Sequence, residues 1–378
     1  SAPGVWTLDQ AEWYISQGLW PKPIIPKQLW SWGRNQFGPL GLGNTTYYSS
    51  PKQVGALTNW SSVSGGSRYT VSIKTDGTLW AWGQNSYGQL GLGNTTYYSS
   101  PKQVGALTNW LSVSCGYYHT VSIKTDGTLW SWGYNSYGPL GLNNITNYSS
   151  PKQVGALTNW LSVSCGYSFT TSIKTDGTLW SWGYNNNGQL GLGNTTNYSS
   201  PKQVGLLTNW SSVSCGQFHT VSIKTDGTLW SWGNSAYGQL GLNNTTDYSS
   251  PKQVGALTTW SSVSCGGYHT VSIKTDGTLW SWGQNNNGQL GLGNITYYSS
   301  PKQVGALTNW SSVSCGRYHT VSIKTNGTLW SWGRNQYGQL GLNNTTSYSS
   351  PKQVGALTSW TKLFKGFETN FTLAIKSS

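Results

Sequence analysis

Four pairs with the spacing Cys-x3-His are the residues of this sequence that come nearest to a chemical site. They are Cys115 with His119, Cys215 with His219, Cys265 with His269, and Cys315 with His319. Thiolate sulfur and imidazole nitrogen are good zinc ligands, but a zinc site needs about four ligands that converge on the ion. Each pair offers two, and Phe169 stands where a further histidine would follow Cys165. We therefore interpret the pairs as packing residues, and we expect no metal and no cofactor.

The five cysteines share one position of a repeated unit, at Cys115, Cys165, Cys215, Cys265 and Cys315. Equivalent positions in neighbouring units lie too far apart for the Cα separation of roughly 4.4–6.8 Å that a disulfide needs. The number of cysteines is also odd. The pattern predicts buried free thiols that act as small hydrophobic residues, and it suits folding in a reducing compartment.

Acid–base groups are scarce, since the chain has nine carboxylates and four histidines. Five of the acids stand in Asp-Gly dipeptides that read as turns, at Asp76, Asp126, Asp176, Asp226 and Asp276. The other four are scattered, at Asp9, Glu12, Asp247 and Glu368. No paired carboxylates and no convergent Ser, His and Asp are assembled, so catalysis by a triad is not indicated. The sequence predicts a protein that is not an enzyme.

The composition argues against several classes of protein. Charged residues make up only 8% of the 378 residues and aromatic residues 14%, which disfavours intrinsic disorder. No run approaches the roughly 18 apolar residues of a membrane span, and no secretory signal opens the chain. The net charge of +13 comes largely from two lysines per unit, the Lys52 and Lys74 series. We expect these lysines to form solvated rings that could attract polyanions. The sequence contains no motif for sequence-specific binding of nucleic acid.

A period of fifty residues organises the chain. The dipeptide Leu-Trp returns from Leu29 to Leu329, and the string Pro-Lys-Gln-Val-Gly returns from Pro51 to Pro351. Seven units follow one another without an insertion or a deletion, so residues 29–378 form one repeat array after a head of residues 1–28.

Each unit reads as four short strands. In the first full unit they are Thr70 to Thr75, Leu79 to Gly83, Lys102 to Leu107, and Trp110 to Cys115. Between the first two strands, Asp76-Gly77 is typical of a hairpin with a type I′ turn. Four antiparallel strands repeated seven times predict an all-β fold, a seven-bladed β-propeller.

The two ends of the chain predict how the ring closes. The last strand, Asn370 to Lys376, corresponds to the strand that should precede Leu29. We expect it to pair with three N-terminal strands in one composite blade. Such pairing removes the open sheet edge that would invite aggregation.

Several dipeptides at fixed places in the unit resemble the repeat of the regulator of chromosome condensation (RCC1). They are Cys115-Gly116, His119-Thr120 and Trp132-Gly133, together with the string from Gly188 to Gly191. The resemblance covers residues 29–378 and implies a seven-bladed propeller. It also allows a guanine-nucleotide exchange factor or a chromatin-associated regulator. Against that role, no blade carries an insertion that could form a wedge, and a basic DNA-binding tail is absent from the sequence.

The head has a pattern of its own. Thr7 to Gln10 has the form of a capping box, which predicts a short helix from Leu8 to Gln17 before a proline-rich extended linker. The strings Gly4 to Leu8 and Gly18 to Pro21 resemble short terminal segments of bacteriophage virion structural proteins. That resemblance implies attachment to a larger assembly through residues 1–28; the alternative is a helix packed on the propeller.

The units differ at a few positions, and these are the candidate binding residues. Up-and-down connectivity places the loops that carry them at one end of every blade, whereas the Asp-Gly turns at the other end scarcely change. Their mixture of rigid aromatic and adaptable polar side chains is typical of binding loops. The candidates are Arg34, Tyr47, Arg68, Tyr117, Tyr118, Tyr134, Tyr167, Tyr184, Gln217, Phe218, Tyr268, Arg317, Tyr318 and Arg334. In the last unit we align Phe367 and Glu368 with Arg317 and Tyr318.

The sequence therefore predicts a non-enzymatic binding or structural module. Our main hypothesis is a phage virion or tail-associated surface protein that recognises a cell-surface glycan or a protein ligand, located on the virion or outside cells. The RCC1-type exchange or chromatin role, with a cytoplasmic location, is one alternative. A purely structural repeat protein whose variation has no meaning is the other.

Overall fold

A computed structural model describes residues 26–364 and 366–377. In this part of the chain 28 strands form seven four-stranded antiparallel sheets, and no helix is present. The sheets are the blades of a propeller, which confirms the predicted fold. The predicted helix from Leu8 to Gln17 lies outside the described residues.

The strand bounds repeat every fifty residues until the last unit. In chain order the strands are β1 Lys27–Gly33, β2 Tyr48–Gln53, β3 Trp60–Gly65, β4 Tyr69–Lys74, β5 Leu79–Gly83, β6 Tyr98–Gln103, β7 Trp110–Cys115, β8 His119–Lys124, β9 Leu129–Gly133, β10 Tyr148–Gln153, β11 Trp160–Cys165, β12 Phe169–Lys174, β13 Leu179–Gly183, β14 Tyr198–Gln203, β15 Trp210–Cys215, β16 His219–Lys224, β17 Leu229–Gly233, β18 Tyr248–Gln253, β19 Trp260–Cys265, β20 His269–Lys274, β21 Leu279–Gly283, β22 Tyr298–Gln303, β23 Trp310–Cys315, β24 His319–Lys324, β25 Leu329–Gly333, β26 Tyr348–Gln353, β27 Trp360–Leu363 and β28 Phe371–Ser377.

Within a blade the strands run in chain order from the axis outward. The blade β3-β4-β5-β6 is typical: β3 lines the central channel, β4 and β5 are largely buried, and β6 is the outer edge. The strand β4 has the β-branched residues that suit a pleated sheet buried on both faces. Its side chains pack between neighbouring blades, so no blade has a core of its own.

Tryptophans join each blade to the one before it. The Trp82 ring is fully buried and packs edge to face on Trp60, with ring centroids 5.9 Å apart. Its indole Nε1 donates to the carbonyl oxygen of Pro39 in the preceding blade at 2.8 Å. Trp132 makes the same bond to Gln89 at 2.9 Å. One tryptophan in each of the seven units therefore bonds to the preceding blade.

The Asp-Gly turn differs from the predicted type I′ turn. Gly77 has φ +76°, but Asp76 is not in the left-handed region. The Gly77 amide donates to the Lys74 carbonyl and the Lys74 amide donates to the Thr78 carbonyl, both at 3.0 Å. This is a type I turn followed by a left-handed glycine. The Asp76 carboxylate stabilises it by accepting bonds from the Thr78 amide at 2.9 Å and hydroxyl at 2.6 Å.

The outermost strand lies earlier in the chain than predicted. It is Tyr98–Gln103 rather than Lys102 to Leu107. Pro101 has no amide hydrogen, yet an edge strand tolerates it where the pairing with β5 is irregular, between Gly83 and Ala81. After Gln103 the Val104 amide still donates to the Leu79 carbonyl at 2.8 Å, and Gly105 at φ +60° ends the strand.

One composite blade closes the ring, with the strand order β2-β1-β28-β27. The strand β28 pairs with β1 in continuous register from Lys27 opposite Ser377 to Gly33 opposite Phe371. Closure by the C-terminal strand is confirmed. The prediction that this strand joins three N-terminal strands was wrong, because β27 and β28 both come from the C-terminus and only two strands come from the N-terminus.

The last unit contains two extra residues. Trp310 pairs with Lys324 in its blade, whereas the equivalent Trp360 pairs with Lys376. The separation between equivalent residues of the last two units therefore grows from 50 at the tryptophans to 52 at the lysines. Phe371 therefore stands where His319 stands in the blade before. The prediction of a strict period without insertion was wrong here. Phe367 and Glu368 are additional residues in the β27–β28 connection, not the equivalents of Arg317 and Tyr318.

The two lysine series have different environments. The Lys52 series is exposed on the outer strands, as predicted. Six members of the other series, from Lys74 to Lys324, are buried, which the prediction of solvated rings missed: the Lys74 Nζ lies 3.6 Å from the ring centroid of Trp80. Burial lowers the pKa of Lys74. The indole faces hold the ammonium group by cation–π attraction.

Candidate binding face

The two ends of the propeller are built from different loops. The connections between first and second strands and between third and fourth strands lie at one end, which we call the variable face. In the blade β3-β4-β5-β6 they are residues 66–68 and 84–97. The connections 75–78 and 104–109 lie at the other end, the turn face. All fourteen candidate binding residues stand in variable-face loops.

Aromatic rings form a connected set on the variable face. The Tyr117 ring lies 4.3 Å from Tyr118 and 4.4 Å from Tyr167, measured between ring centroids. Phe218 lies 5.3 Å from Tyr167 and 6.4 Å from Tyr268. These five residues come from four consecutive blades and are half-buried. We call them the tyrosine set.

Three residues that the sequence analysis missed extend this set. Tyr87 lies 5.1 Å from Tyr118 and 5.0 Å from Tyr134. Tyr137 lies 4.9 Å from Tyr184, which contacts Phe218 at 6.0 Å. Tyr237 lies 5.1 Å from Tyr268. The missed residues share the position of Phe37, which also changes between units, so the same comparison of units would have found them.

Arginines occupy the remaining part of the variable face. The Arg34 guanidinium lies 5.0 Å from the ring centroid of Tyr337, and Arg334 lies 5.7 Å from the same ring. Tyr47 contacts that ring edge to face at 5.8 Å. On the other side, Arg68 lies 4.9 Å from the ring of Phe37.

A buried carboxylate stands at the channel mouth. Glu368 is 1% exposed, and its Oε1 lies 3.1 Å from Nη1 of Arg317, which is partly exposed. Burial raises the pKa of Glu368 from 4.5 to about 7, against the opposing effect of Arg317. The partial burial of the Tyr268 phenol, together with the nearby Glu368 charge, raises the pKa of Tyr268 to about 12. The Arg317 guanidinium also lies 5.1 Å from the ring of Tyr318.

Backbone bonds between blades fix the innermost loops of the variable face. The Tyr117 amide donates to the Tyr167 carbonyl at 3.3 Å, and the Tyr167 amide donates to the Gln217 carbonyl at 3.4 Å. The Arg317 amide donates to the Thr369 carbonyl at 3.0 Å in the same manner. Gln217 is buried, so it contributes to this ring of loops rather than to the surface.

A central channel of about 480 Å³ runs beneath these loops. Valines and serines of the inner strands form much of its lining, with Ser62 and Val63 as examples, and Phe364 and Phe367 of the last unit also line it. Phe367, one of the additional residues of the last unit, thus packs at the channel. The lining also includes the thiols of Cys165, Cys215 and Cys265 and the side chain of Lys362, whose ammonium group donates to the Ser61 carbonyl oxygen at 2.9 Å.

The Cys-x3-His pairs lie between neighbouring blades, and Cys215 and Cys265 also line the channel. The Cys115 amide donates to Oγ of Ser64 in the preceding blade at 2.9 Å, and the Cys115 thiol donates to the Ser64 carbonyl oxygen at 3.5 Å. The His119 Nε2 lies 3.1 Å from Oγ1 of Thr170 in the following blade. Both side chains therefore join neighbouring blades. In the described part of the chain no three His, Cys, Asp or Glu side chains are grouped to hold a metal ion.

The five thiols are expected to be inert in the native protein. All five are buried and free. Burial raises the pKa of Cys115 from 9.0 to about 12, and it raises the pKa of Cys215 to about 11. Because the thiolate is the reactive form, alkylation at pH 8 should be about 1,000-fold slower at Cys115 and about 100-fold slower at Cys215 than for an unperturbed thiol. Iodoacetamide labelling followed by mass spectrometry should show five labels only after unfolding; rapid labelling of the native protein would contradict this packing.

The described residues include no helix with the length and hydropathy of a membrane span.

Comparisons with known proteins agree with this architecture. A family model described as the RCC1-like domain matches residues 109–378. Models of the regulator of chromosome condensation (RCC1) repeat match residues 28–73 and 76–123, and residues 60–89. A search of curated protein sequences finds no significant match.

Solved structures resemble the chain along almost its whole length. Human WBSCR16 is 23% identical with a TM-score of 0.83, over 93% of this chain and 99% of that one. Yeast RCC1 (Prp20) bound to Kap60 is 18% identical with a TM-score of 0.84, over 94% and 90%. Prp20p from Saccharomyces cerevisiae, described with its binding to Gsp1p and histones, is 19% identical with a TM-score of 0.83, over 94% and 92%. At these identities the likeness establishes the fold. Because the RCC1-like domain model matches more than half of the chain, the chain belongs to the RCC1-like domain family.

Proposed function

We propose that this protein is a non-enzymatic binding module that holds a protein partner on the variable face. The observation that carries the proposal is the tyrosine set, Tyr117, Tyr118, Tyr167, Phe218 and Tyr268, whose rings contact one another across four blades. Rings that are ordered before binding lose little conformational freedom when a partner docks. Half-buried tyrosines in loops also supply large contact areas with few rotatable bonds.

A protein partner is favoured by the family. Prp20p is described as binding Gsp1p, histones and Kap60. We infer a partner of the same class, a protein surface or segment, for this chain. A cell-surface glycan, which we predicted from the sequence, stays a competing ligand. The roles of residues 1–28 in attachment, and of the whole protein on a virion, stay predictions as well.

Alanine substitution of the four tyrosines of the tyrosine set is expected to weaken ligand binding strongly. The experiment selects ligands for the full chain from a displayed peptide library and a glycan array, and tests purified Gsp1p and histones beside them. Dissociation constants are then measured for the wild type and for Y117A/Y118A/Y167A/Y268A. Loss of interface aromatics that carry the binding energy should weaken binding about 30-fold or more.

A matched control replaces exposed leucines of the turn face, L107A/L157A/L207A/L257A. These side chains are about half exposed and come from four consecutive blades, as the tyrosines do. The control should bind as the wild type does, and circular dichroism should show that both variants fold. Equal affinity of the tyrosine variant and the wild type would overturn the proposal. If the wild type binds a glycan and the tyrosine variant does not, the variable face remains the binding site, but the proposal of a protein partner is overturned.

Guanine-nucleotide exchange or a chromatin-associated role is the second candidate function. It is favoured by membership of the RCC1-like domain family and by the description of Prp20p with Gsp1p and histones. Release of a fluorescent guanine nucleotide from Gsp1p, measured with and without the full chain, tests the exchange activity. An unchanged release rate at saturating protein would contradict exchange on that GTPase.

A further inference from the structure

All four arginines of the chain lie on the variable face, in three adjacent blades. Arg317 and Arg334 stand in loops of the blade β23–β26, Arg34 stands in the composite blade, and Arg68 stands in the blade β3–β6. Up to 300 residues separate them in sequence, and they become neighbours only because β28 closes the ring on β1. We call these four residues the arginine arc.

Aromatic rings hold the arc in place. The Arg334 guanidinium lies 5.5 Å from the ring centroid of Tyr318 and 5.7 Å from that of Tyr337. Arg34 lies over the same Tyr337, and Arg68 lies over Phe37. Nη2 of Arg334 also donates to Oε1 of Gln336, and Arg34 makes the same bond to Gln36. Stacking fixes the guanidinium planes and leaves in-plane N–H groups for an anion.

The charge of the arc is largely uncompensated. Among the described residues only two carboxylates, Glu368 and Asp247, lie on the variable face, because the Asp-Gly turns lie on the turn face. Glu368 is buried and paired with Arg317. Asp247 stands in a different part of the ring, in the β17–β18 loop, where it accepts a bond from the Ser235 amide at 2.7 Å. Arg34, Arg68 and Arg334 have no acidic partner within the described residues.

The lysines lie elsewhere. Every lysine in the described part of the chain stands in a strand, and none stands in a variable-face loop. The face therefore combines Arg, Tyr and Phe without Lys. Protein–protein interfaces are enriched in arginine and aromatic residues and depleted in lysine. A nucleic-acid strand would instead need a continuous track of cations along its phosphates, and the exposed Lys52 series lies on the outer strands.

We propose that the arginine arc binds the carboxylates of an acidic segment of the protein partner. The planar guanidinium matches a carboxylate through two parallel hydrogen bonds. The neighbouring tyrosine set contacts the apolar side chains of the same segment. The inference rests on the proposed function, since it names the chemistry of the partner that the variable face receives.

The test uses the full chain and two fluorescein-labelled peptides. One is a twelve-residue peptide of repeated Glu-Glu-Tyr, and the other has Gln in place of every Glu. Fluorescence anisotropy gives the dissociation constants for the wild type and for R34Q/R68Q/R334Q. Arg317 is left in place because its removal would leave Glu368 buried without a partner. The matched control, K102Q/K202Q/K302Q, removes the same charge from exposed outer-strand lysines.

The wild type should prefer the Glu peptide to the Gln peptide, and the preference should weaken with added salt. The arginine variant should lose about tenfold or more in affinity for the Glu peptide, while the lysine variant should change by less than about twofold. If the triple variant does not fold, the single variant R68Q, whose side chain has one ring contact, gives the same comparison with a smaller loss.

Two results would overturn the acidic segment. One is equal binding of the Glu peptide by the arginine variant and the wild type. The other is binding of a twelve-nucleotide oligo-dT that is tighter than binding of the Glu peptide and depends on the arginines, which would assign the arc to nucleic acid. Failure here is distinguishable from failure of the proposed function. If ligand binding is lost in the tyrosine variant but survives in the arginine variant, the variable face remains the binding site, and only the proposal of an acidic segment is overturned.

Discussion

Lowering the pH from 8 to 5 is expected to reduce the free energy of unfolding by about 5 kcal/mol, because four histidines are buried without charge. His119, His219, His269 and His319 each join two blades, and all four are at most 1% exposed. Burial lowers their pKa from 6.5 to about 3. The unfolded chain takes up protons at these side chains near pH 6.5, and the folded chain does not.

The hydrogen bonds explain why the folded state rejects the proton. The Thr170 hydroxyl donates to the Pro139 carbonyl at 2.8 Å, so it can only accept from Nε2 of His119. Nε2 therefore carries the hydrogen of the neutral ring, and a second proton would go to Nδ1. That atom is buried without a hydrogen-bond partner, against Gly116. A charged imidazolium would leave a buried N–H without an acceptor, which is costly.

The direction of the pH dependence follows from the two kinds of shift. A lowered histidine pKa gives stability that is present above pH 6.5 and is lost as the pH falls toward 3, at about 2 kcal/mol per histidine by pH 5. The raised pKa of Glu368 acts oppositely: its contribution is present below pH 4.5 and is lost as the pH rises toward 7. One glutamate offsets about 2–3 kcal/mol of the total of about 8 kcal/mol from four histidines.

Guanidinium denaturation at pH 8 and pH 5 measures the difference. The control is H119F/H219F/H269F/H319F, since Phe169 fills the same place in one blade, its ring packed against Gly166 as the histidine ring packs against Gly116. This variant should lose the acid sensitivity and become more stable at pH 5 than at pH 8, because only the effect of Glu368 remains. Equal acid sensitivity of the variant and the wild type would show that the histidines are not its source.

Removal of strand β28 by ending the chain at Asn370 is expected to abolish cooperative folding. The strand is the only link in sheet order between β27 and β1, so its loss splits the composite blade. Phe371, Leu373 and Ile375 are at most 1% exposed, and each contributes roughly 1.5–3 kcal/mol by burial. With the pairing to β1 also lost, the deficit approaches the total stability of about 5–15 kcal/mol that is usual for a domain.

Thermal unfolding followed by near-ultraviolet circular dichroism, together with size-exclusion chromatography, tests the truncation. The truncated chain should show no sharp transition and should associate through the exposed edges of β1 and β27. A chain that ends at Lys376 keeps the buried residues and should behave as the full chain does. A monomeric truncated protein with a melting temperature within a few degrees of the full chain would contradict closure as the source of stability.

The repeated features of the fold could be predicted from the sequence because one unit specifies them seven times. The tryptophan positions, the strand count and the closure all follow from the period. Local details could not be predicted where one residue pattern fits two conformations equally well. Asp76-Gly77 suits both a type I′ turn and the observed turn, and only the conformation of Asp76 distinguishes them. Pro101 is typical of a strand boundary, yet the outer edge strand accommodates it.

The candidate site was predictable in its location but not in its contacts. The varied positions identify the loops, and strand order places those loops at one end. That Arg34 lies beside Arg334 follows from closure and could have been deduced. The position of Glu368 could not, because aligning the last unit at a fixed period hides its two extra residues. The burial of Lys74 between tryptophans was also hidden, since lysine in a strand usually reaches solvent.

The central claim is that the variable face receives the partner, and hydroxyl-radical footprinting of the full chain tests it most directly. Tyr, Phe and Leu side chains all react, so both faces report in one experiment. With a selected peptide ligand bound, Tyr117, Tyr167 and Phe218 should be protected, while Leu107, Leu157 and Leu207 on the turn face should react as in the free protein. Protection of the leucines with no change at the tyrosines would contradict the account.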